Sequence, residues 1–390
     1  MMRAAPTLLC LGAGAEQLPA IERAEALGCR VAAVDVDPDA VGLRRCSSPH
    51  VVDIADYEAV LRIAADIGID GVLPAPVGRH VVLAGLVNDT FGLIGPSREV
   101  AERCADKRLF GELTGRGARP LDERVELDPR VPPMSPPFVL KPVRGSGGRG
   151  VGRIDDASAW AVRCGSHDSS HYPDGVLLEP FCTGEPYGVD AMVQDGRVEV
   201  VLLRGKRLDF SHGILETAYL AFFDDDTSGL ERRAGEALQA LVDALGYGAG
   251  LLHADLVIDA TRVHVIEMSP RPSGLHLSSL LLPASTGVDF LEQGIRQVCG
   301  QPIRLTRKRE TCTALQYLAL GPGRVERLPE PAALAAVDDW RIGFDVGEHL
   351  DAPITMNDLL RRGHLLVSGD SPSAVKATLE KTLCLFDIRR

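Results

Sequence analysis

Residues 138–152 read FVLKPVRGSGGRGVG. A short apolar run ends in Lys141, and Gly145, Gly147, Gly148 and Gly150 follow within six positions. A fixed cation beside a run of bare backbone is how proteins hold a polyphosphate. Glycine lets the chain approach the oxygens, and successive N–H groups form an anion-binding concavity. Ser146 adds a hydroxyl donor, and Arg144 a second positive charge. A plain flexible loop between two strands is the bland alternative, and the lysine weighs against it. The order of the parts excludes two familiar phosphate motifs. A P-loop and a protein kinase both place the glycines before the lysine, and the kinase HRD and DFG signatures are absent.

Outward from this stretch, residues 7–100 alternate strand and helix patterns. TLLCLGAGA runs from a buried strand into a glycine turn. Leu18, Ile21, Ala24 and Leu27 give residues 16–27 one apolar helical face. RVAAVDVD reads as a second strand, 56–67 as an amphipathic helix, DGVLPA as a further strand, and FGLIGPS closes the segment. Strands alternating with helices predict a parallel sheet. The opening MMRAAPTLLCLGAGA reads as a first strand in preference to a signal peptide. Residues 118–137 are proline-rich, an extended linker or edge strand. Strands are expected at 138–141, 176–181, 187–194, 197–204, 251–258 and 262–268, with a helix at 228–245. The tail adds TALQYLAL, HLLVSG and a helix from Pro372 to Leu383.

A second constellation, GLLHADLVIDATRVHVIEMSPRPSG, occupies 250–274. Asp255 and Glu267 fall on two strands joined by a turn near Asp259–Arg262. A hairpin aims both the same way at neighbouring positions. Two hard oxygen donors beside a polyphosphate suit Mg²⁺ (or Mn²⁺), which completes its shell with phosphate and water. Arg271, four residues on, is placed to steady a transferring phosphoryl or acyl group. Acids facing water on a surface hairpin are the alternative. Apolar neighbours on both sides argue instead for burial, and buried carboxylates need partners. GAGAEQ with Asp35 at the next strand end resembles an incomplete dinucleotide fingerprint, lacking its third glycine.

Composition bounds the rest. The chain has 390 residues, 45% apolar and 25% charged, which suits two or three soluble domains. A net charge of −12 argues against general nucleic-acid binding. No apolar run approaches a membrane span. Nine scattered cysteines without a CxxC predict reduced thiols in a cytoplasmic protein.

Taken in order, these features resemble the ATP-grasp superfamily, and the resemblance covers most of the chain. CADKRLFGELTGRGARP is similar to the family's central helix, which implies that Lys107 contacts ATP phosphate. FVLKP with GSGGRGV resembles its second lysine and lid, which implies nucleotide contacts from Lys141, Ser146, Gly147 and Gly148. VLLEPFCTGEPYGVDAMV resembles its hinge. This implies Glu179 near the adenine amine, the Phe181–Cys182 backbone beside the ring, and Glu185 on the ribose. HADLVI and VIEMSPRPSG resemble its metal motif, which implies Asp255 and Glu267 as Mg²⁺ ligands and Arg271, Lys141 and Ser269 as the catalytic set. Two departures stand out. Ser269 occupies the usual asparagine position, and Pro186 displaces the ribose glutamate to Glu185. RRGHLLVSGDSPSAVKATLEKTL resembles the C-terminal lobe of biotin carboxylases and amino-acid ligases.

The resemblance implies an ATP-grasp fold of α/β and α+β parts. A Rossmann-like domain spans 1–100, a central and lid domain 101–185, and a C-terminal lobe 186–390, its biotin-carboxylase-like tail starting near 303. It implies an ADP-forming ligase that joins a small-molecule carboxylate and an amine through an acyl phosphate, with amino-acid-like substrates. A purine-pathway ligase or carboxylase, or a non-catalytic ATP-binding regulator, is the rival. His253, His276, Glu216 and His212 are candidate substrate residues, each histidine equally fitting a structural role. A homodimer stays open.

Overall fold

In the computed structural model, residues 5–121, 128–145, 148, 150–166, 172–209, 215–353 and 355–389 are described. Ser146, Gly147 and His212 lie outside them.

The N-terminal sheet is parallel. β1 (Thr7–Leu11), β2 (Arg30–Asp35), β3 (Ser48–Val51) and β4 (Gly71–Val72) run in the order β3-β2-β1-β4. Helices α1 (Leu18–Ala26), α2 (Tyr57–Ile67) and α3 (Val81–Phe91) alternate with the strands or follow them. The strand expected from DGVLPA is cut to Gly71–Val72. Pro74 and Pro76 have no N–H to extend the ladder. Asp35 serves its own turn, accepting the Ala13 amide at 2.7 Å and the Asp37 amide at 3.0 Å.

Next come α4 (Arg98–Ala105) and α5 (Lys107–Thr114). A small antiparallel sheet follows, with β5 (Arg119–Pro120), β6 (Phe138–Pro142), β7 (Gly152–Ile154) and β8 (Val176–Pro180) in the order β5-β8-β6-β7. The proline-rich stretch thus supplies an edge strand. Helix α6 (Ala157–Gly165) buries Trp160 against Phe138.

The largest sheet positions the site. It contains β9 (Glu185–Gln194), β10 (Arg197–Asp209), β11 (Leu215–Ala221), β12 (Gly250–Ile258) and β13 (Val263–Ser269). β14 (Cys312–Tyr317) continues it. The chain then forms β15 (Gly323–Arg327), β16 (Asp339–Ile342), β17 (His349–Leu350), β18 (Gly363–Gly369) and β19 (Asp387–Arg389). The large sheet runs β13-β12-β9-β10-β11-β14-β18-β16, and β17-β15-β19 form a separate three-stranded sheet.

Helix α7 (Asp225–Leu245) is capped by Asp224, which accepts from the Thr227 amide, and stopped by Gly246 at φ 63°. Its Leu238, Leu241 and Val242 pack on Val189, Leu203, Leu252, Ala254 and Leu256. Strand side chains alternate between faces. With Leu252, Ala254 and Leu256 on the helix, Leu251, His253 and Asp255 must take the opposite face. On that face Met192, Leu202, Leu251, Tyr219 and Tyr317 form a second apolar cluster. The polar site is set into its edge. All nine cysteines are free thiols. Among the described residues no helix is long and apolar enough to cross a membrane.

Candidate nucleotide site

The site is built at the meeting of α5, the glycine loop and the β12–β13 hairpin. Asp106 caps α5, its carboxylate accepting the Arg108 amide at 3.0 Å and the Leu109 amide at 3.3 Å. The first helical residue is therefore held in place, and it is Lys107. The Lys107 amide donates to Val143 O at 3.0 Å. Its ammonium donates to Gly145 O at 2.7 Å and lies 3.9 Å from Glu267 Oε2. One lysine thus ties the helix to both the loop and the metal-motif acid. Gly148 and Gly150 adopt φ of +71° and +73°, a left-handed geometry that explains their glycines.

Lys141 lies next to the end of β6 with its side chain 6% exposed, 2.6 Å from Glu179 Oε1 on the neighbouring β8. Burial pulls the Lys141 ammonium down to a pKa of about 8, against the attraction of Glu179. Glu179 is held from its other side by Arg116, whose guanidinium donates to it at 2.7 and 3.3 Å and to Ile266 O at 3.0 Å. Arg116 belongs to this charged cluster and was not among the residues expected from the sequence, although it stands inside the quoted helix segment. At the hinge, the Phe181 amide donates to Pro137 O at 3.2 Å, and Arg153 sits 4.1 Å from the Phe181 ring. Burial raises the Cys182 thiol pKa. Glu185 is exposed at the start of β9, opposite Ile258.

The two acids are direct cross-strand partners, Asp255 opposite Glu267, and a turn at Asp259–Arg262 closes the hairpin. Both side chains keep partial exposure, 30% and 39%. Adjacent, partly exposed carboxylates fit an ion that draws its remaining ligands from phosphate and water. Among the described residues no group of three His, Cys, Asp or Glu could hold a metal alone. Ser269 is buried opposite His253. Arg271 is half-buried with Nη1 donating to Pro272 O at 2.8 Å. Burial lowers its pKa, and Glu267, Glu16, Asp255 and Asp190 counter that.

Behind these acids runs a chain of charge. Asp190 pairs with Arg204, both fully buried. Burial raises the Asp190 pKa, and Arg204 opposes the rise. The Arg204 guanidinium lies 3.3 Å from His253 Nδ1, which leaves Nε2–H toward Asp255 Oδ1 at 3.4 Å. Burial, with Arg204 beside it, holds His253 neutral, its pKa well below the usual value. Lys206 lies 2.6 Å from both Asp255 Oδ1 and Glu216 Oε1, and Tyr219 donates to Glu216. Arg204 and Lys206 were also missed. The signal was RGKRLDF, where two cations two apart share a strand face with Leu202. His276 is placed elsewhere. Its ring lies 5.1 Å from His364, which in turn bonds Asp339 at 2.9 Å, and burial drops the His276 pKa to about 4.

Comparison with known proteins bears on the domain and the fold. Residues 134–279 match the ATP-grasp domain model. The formate-dependent phosphoribosylglycinamide formyltransferase of Synechococcus sp. strain RCC307 is 27% identical over 319 residues, 76% of this chain and 76% of that one. The crystal structure of an L-amino acid ligase from Bacillus licheniformis superposes with a TM-score of 0.80 at 19% identity, over 100% of this chain and 99% of that one. The biotin carboxylase domain of Hydrogenobacter thermophilus 2-oxoglutarate carboxylase, solved with MgADP, ADP and bicarbonate, gives 0.70 at 16%, over 99% and 91%. At these identities the structures speak for the fold. Residues 134–279 are an ATP-grasp domain, and the chain that carries them is built on the ATP-grasp fold.

Proposed function

We propose that the chain is an ATP-dependent carboxylate–amine ligase, forming an amide and releasing ADP and phosphate. One observation carries the reading. Lys107 lies 2.7 Å from Gly145 O in the glycine loop and 3.9 Å from Glu267, so widely separated segments converge on one lysine. When bound, ATP supplies the phosphoryl group that turns a substrate carboxylate into an acyl phosphate, which an amine then attacks.

The chain's own part is positioning and charge, which phosphoryl transfer needs more than covalent help. Lys107 and Lys141 neutralise phosphate oxygens, and Asp255 and Glu267 hold Mg²⁺ (or Mn²⁺). Arg271 steadies the acyl oxyanion as phosphate leaves. Glu179 fixes Lys141 and faces the adenine side, with Phe181, Cys182 and Glu185 along the hinge. Ser146, Gly147 and Gly148 would contribute contacts to the nucleotide, as the family resemblance implies. His253 and Glu216 border the acid-binding face.

A purine-pathway reading also has support, from the relative at 27% identity, whose name specifies formate and phosphoribosylglycinamide. An ADP-release screen over paired acids and amines, with formate plus phosphoribosylglycinamide among the pairs, separates the two. Release stimulated by amino-acid pairs supports the first reading, and stimulation by the formate pair alone replaces it with the second. Tight ATP binding with no turnover on any pair favours a binding protein without chemistry.

A further inference from the structure

Lys206 has no place in the roles above, yet it sits on a proposed metal ligand. Its ammonium lies 2.6 Å from Asp255 Oδ1 and 2.6 Å from Glu216 Oε1, with the side chain only 4% exposed. The Tyr219 ring lies 5.9 Å away. The aliphatic stem is enclosed, so the ammonium has little freedom to withdraw into water. A carboxylate with an ammonium on one oxygen has half of its donor capacity left. Two divalent ions a few ångströms apart need shared oxygen donors.

We propose that Lys206 takes the place of one cation, so that the site accepts a single divalent ion. That ion binds Glu267 and the remaining oxygen of Asp255, and the Lys206 ammonium supplies the other positive charge. This rests on the ATP reading above. It also gives the position of Ser269 a reason, since a hydroxyl suffices where no second metal needs a ligand.

The test counts Mn²⁺ bound to the full chain saturated with adenylyl imidodiphosphate, by equilibrium dialysis with paramagnetic resonance of the bound ion. The wild type should bind one Mn²⁺ per chain, and Lys206→Met should bind two, with a spin-coupled spectrum. Removing Lys206 alone leaves two carboxylates without their shared cation. The charge-balanced pair Lys206→Met with Glu216→Gln is therefore the second variant and should also bind two. Glu216→Gln alone keeps Lys206 on Asp255 and should stay at one. Two ions in the wild type, or one in the folded double variant, overturn the proposal. A wild type that binds neither nucleotide nor Mn²⁺ overturns the ATP reading itself.

Discussion

Replacing Lys141 by methionine should make the protein more stable and useless to its nucleotide. The Lys141 ammonium is 6% exposed, and its pKa falls from the ordinary 10.5 to about 8. At about 1.4 kcal/mol per pH unit, keeping the group charged at pH 7 costs about 3 kcal/mol. The sign follows from proton counting. Between pH 8 and 10.5 the unfolded chain binds more protons than the folded one, so stability rises with pH in that window. Below pH 8 the deficit is complete and constant. Methionine fills a similar volume without charge, and Glu179 keeps Arg116 as its partner, so no carboxylate is orphaned. Urea unfolding at pH 7 should show Lys141→Met more stable by about 1–3 kcal/mol, the upper figure being the whole charge cost. The advantage should shrink toward pH 10.5, and titration with a non-hydrolysable ATP analogue should show affinity lost at every pH. A variant less stable than wild type at pH 7, or a gain that ignores pH, would refute the reasoning.

Arg116→Met removes a cation that depresses the Lys141 pKa, so the pH above which nucleotide binding weakens should move upward from about 8. A profile that stays in place removes Arg116 from the site's electrostatics. Glu267→Gln should raise the Mg²⁺ needed for half-maximal nucleotide binding by roughly tenfold or more, since one of two carboxylate ligands is lost. An unchanged Mg²⁺ curve takes Glu267 out of the site. Gly188→Ala puts a methyl 2.8 Å from the Arg204 guanidinium carbon and disturbs the buried pair with Asp190, which should cost roughly 3 kcal/mol. Denaturation midpoints check this, and an unshifted midpoint shows that Arg204 has another seat.

How far the sequence carried depended on the distance over which each fact is encoded. The Pro372–Leu383 helix is local, with a serine cap, a proline at its first residue and an apolar spacing, and it was read to the residue. The opposition of Asp255 and Glu267 needed only one hairpin. By contrast Arg116 meets Glu179 across 63 residues, and Lys206 meets Asp255 by strand pairing that no local pattern states. A cation inside RGKRLDF looks solvated until β9, β11 and β12 enclose it. His276 was a candidate substrate residue in the sequence. Its left-handed backbone at φ 59° turns it instead to His364.

The odd–even alternation along β12 has a consequence for how this protein can vary. One residue added between Leu251 and Leu252 would turn the carboxylate into the oily layer under α7 and push Ala254 out onto the face that His253 and Asp255 now occupy. A length change inside β12 ahead of Asp255 therefore disturbs both faces of the sheet, whereas a turn can absorb one. New specificities must be written in the turns and strand ends, while the interior keeps its count.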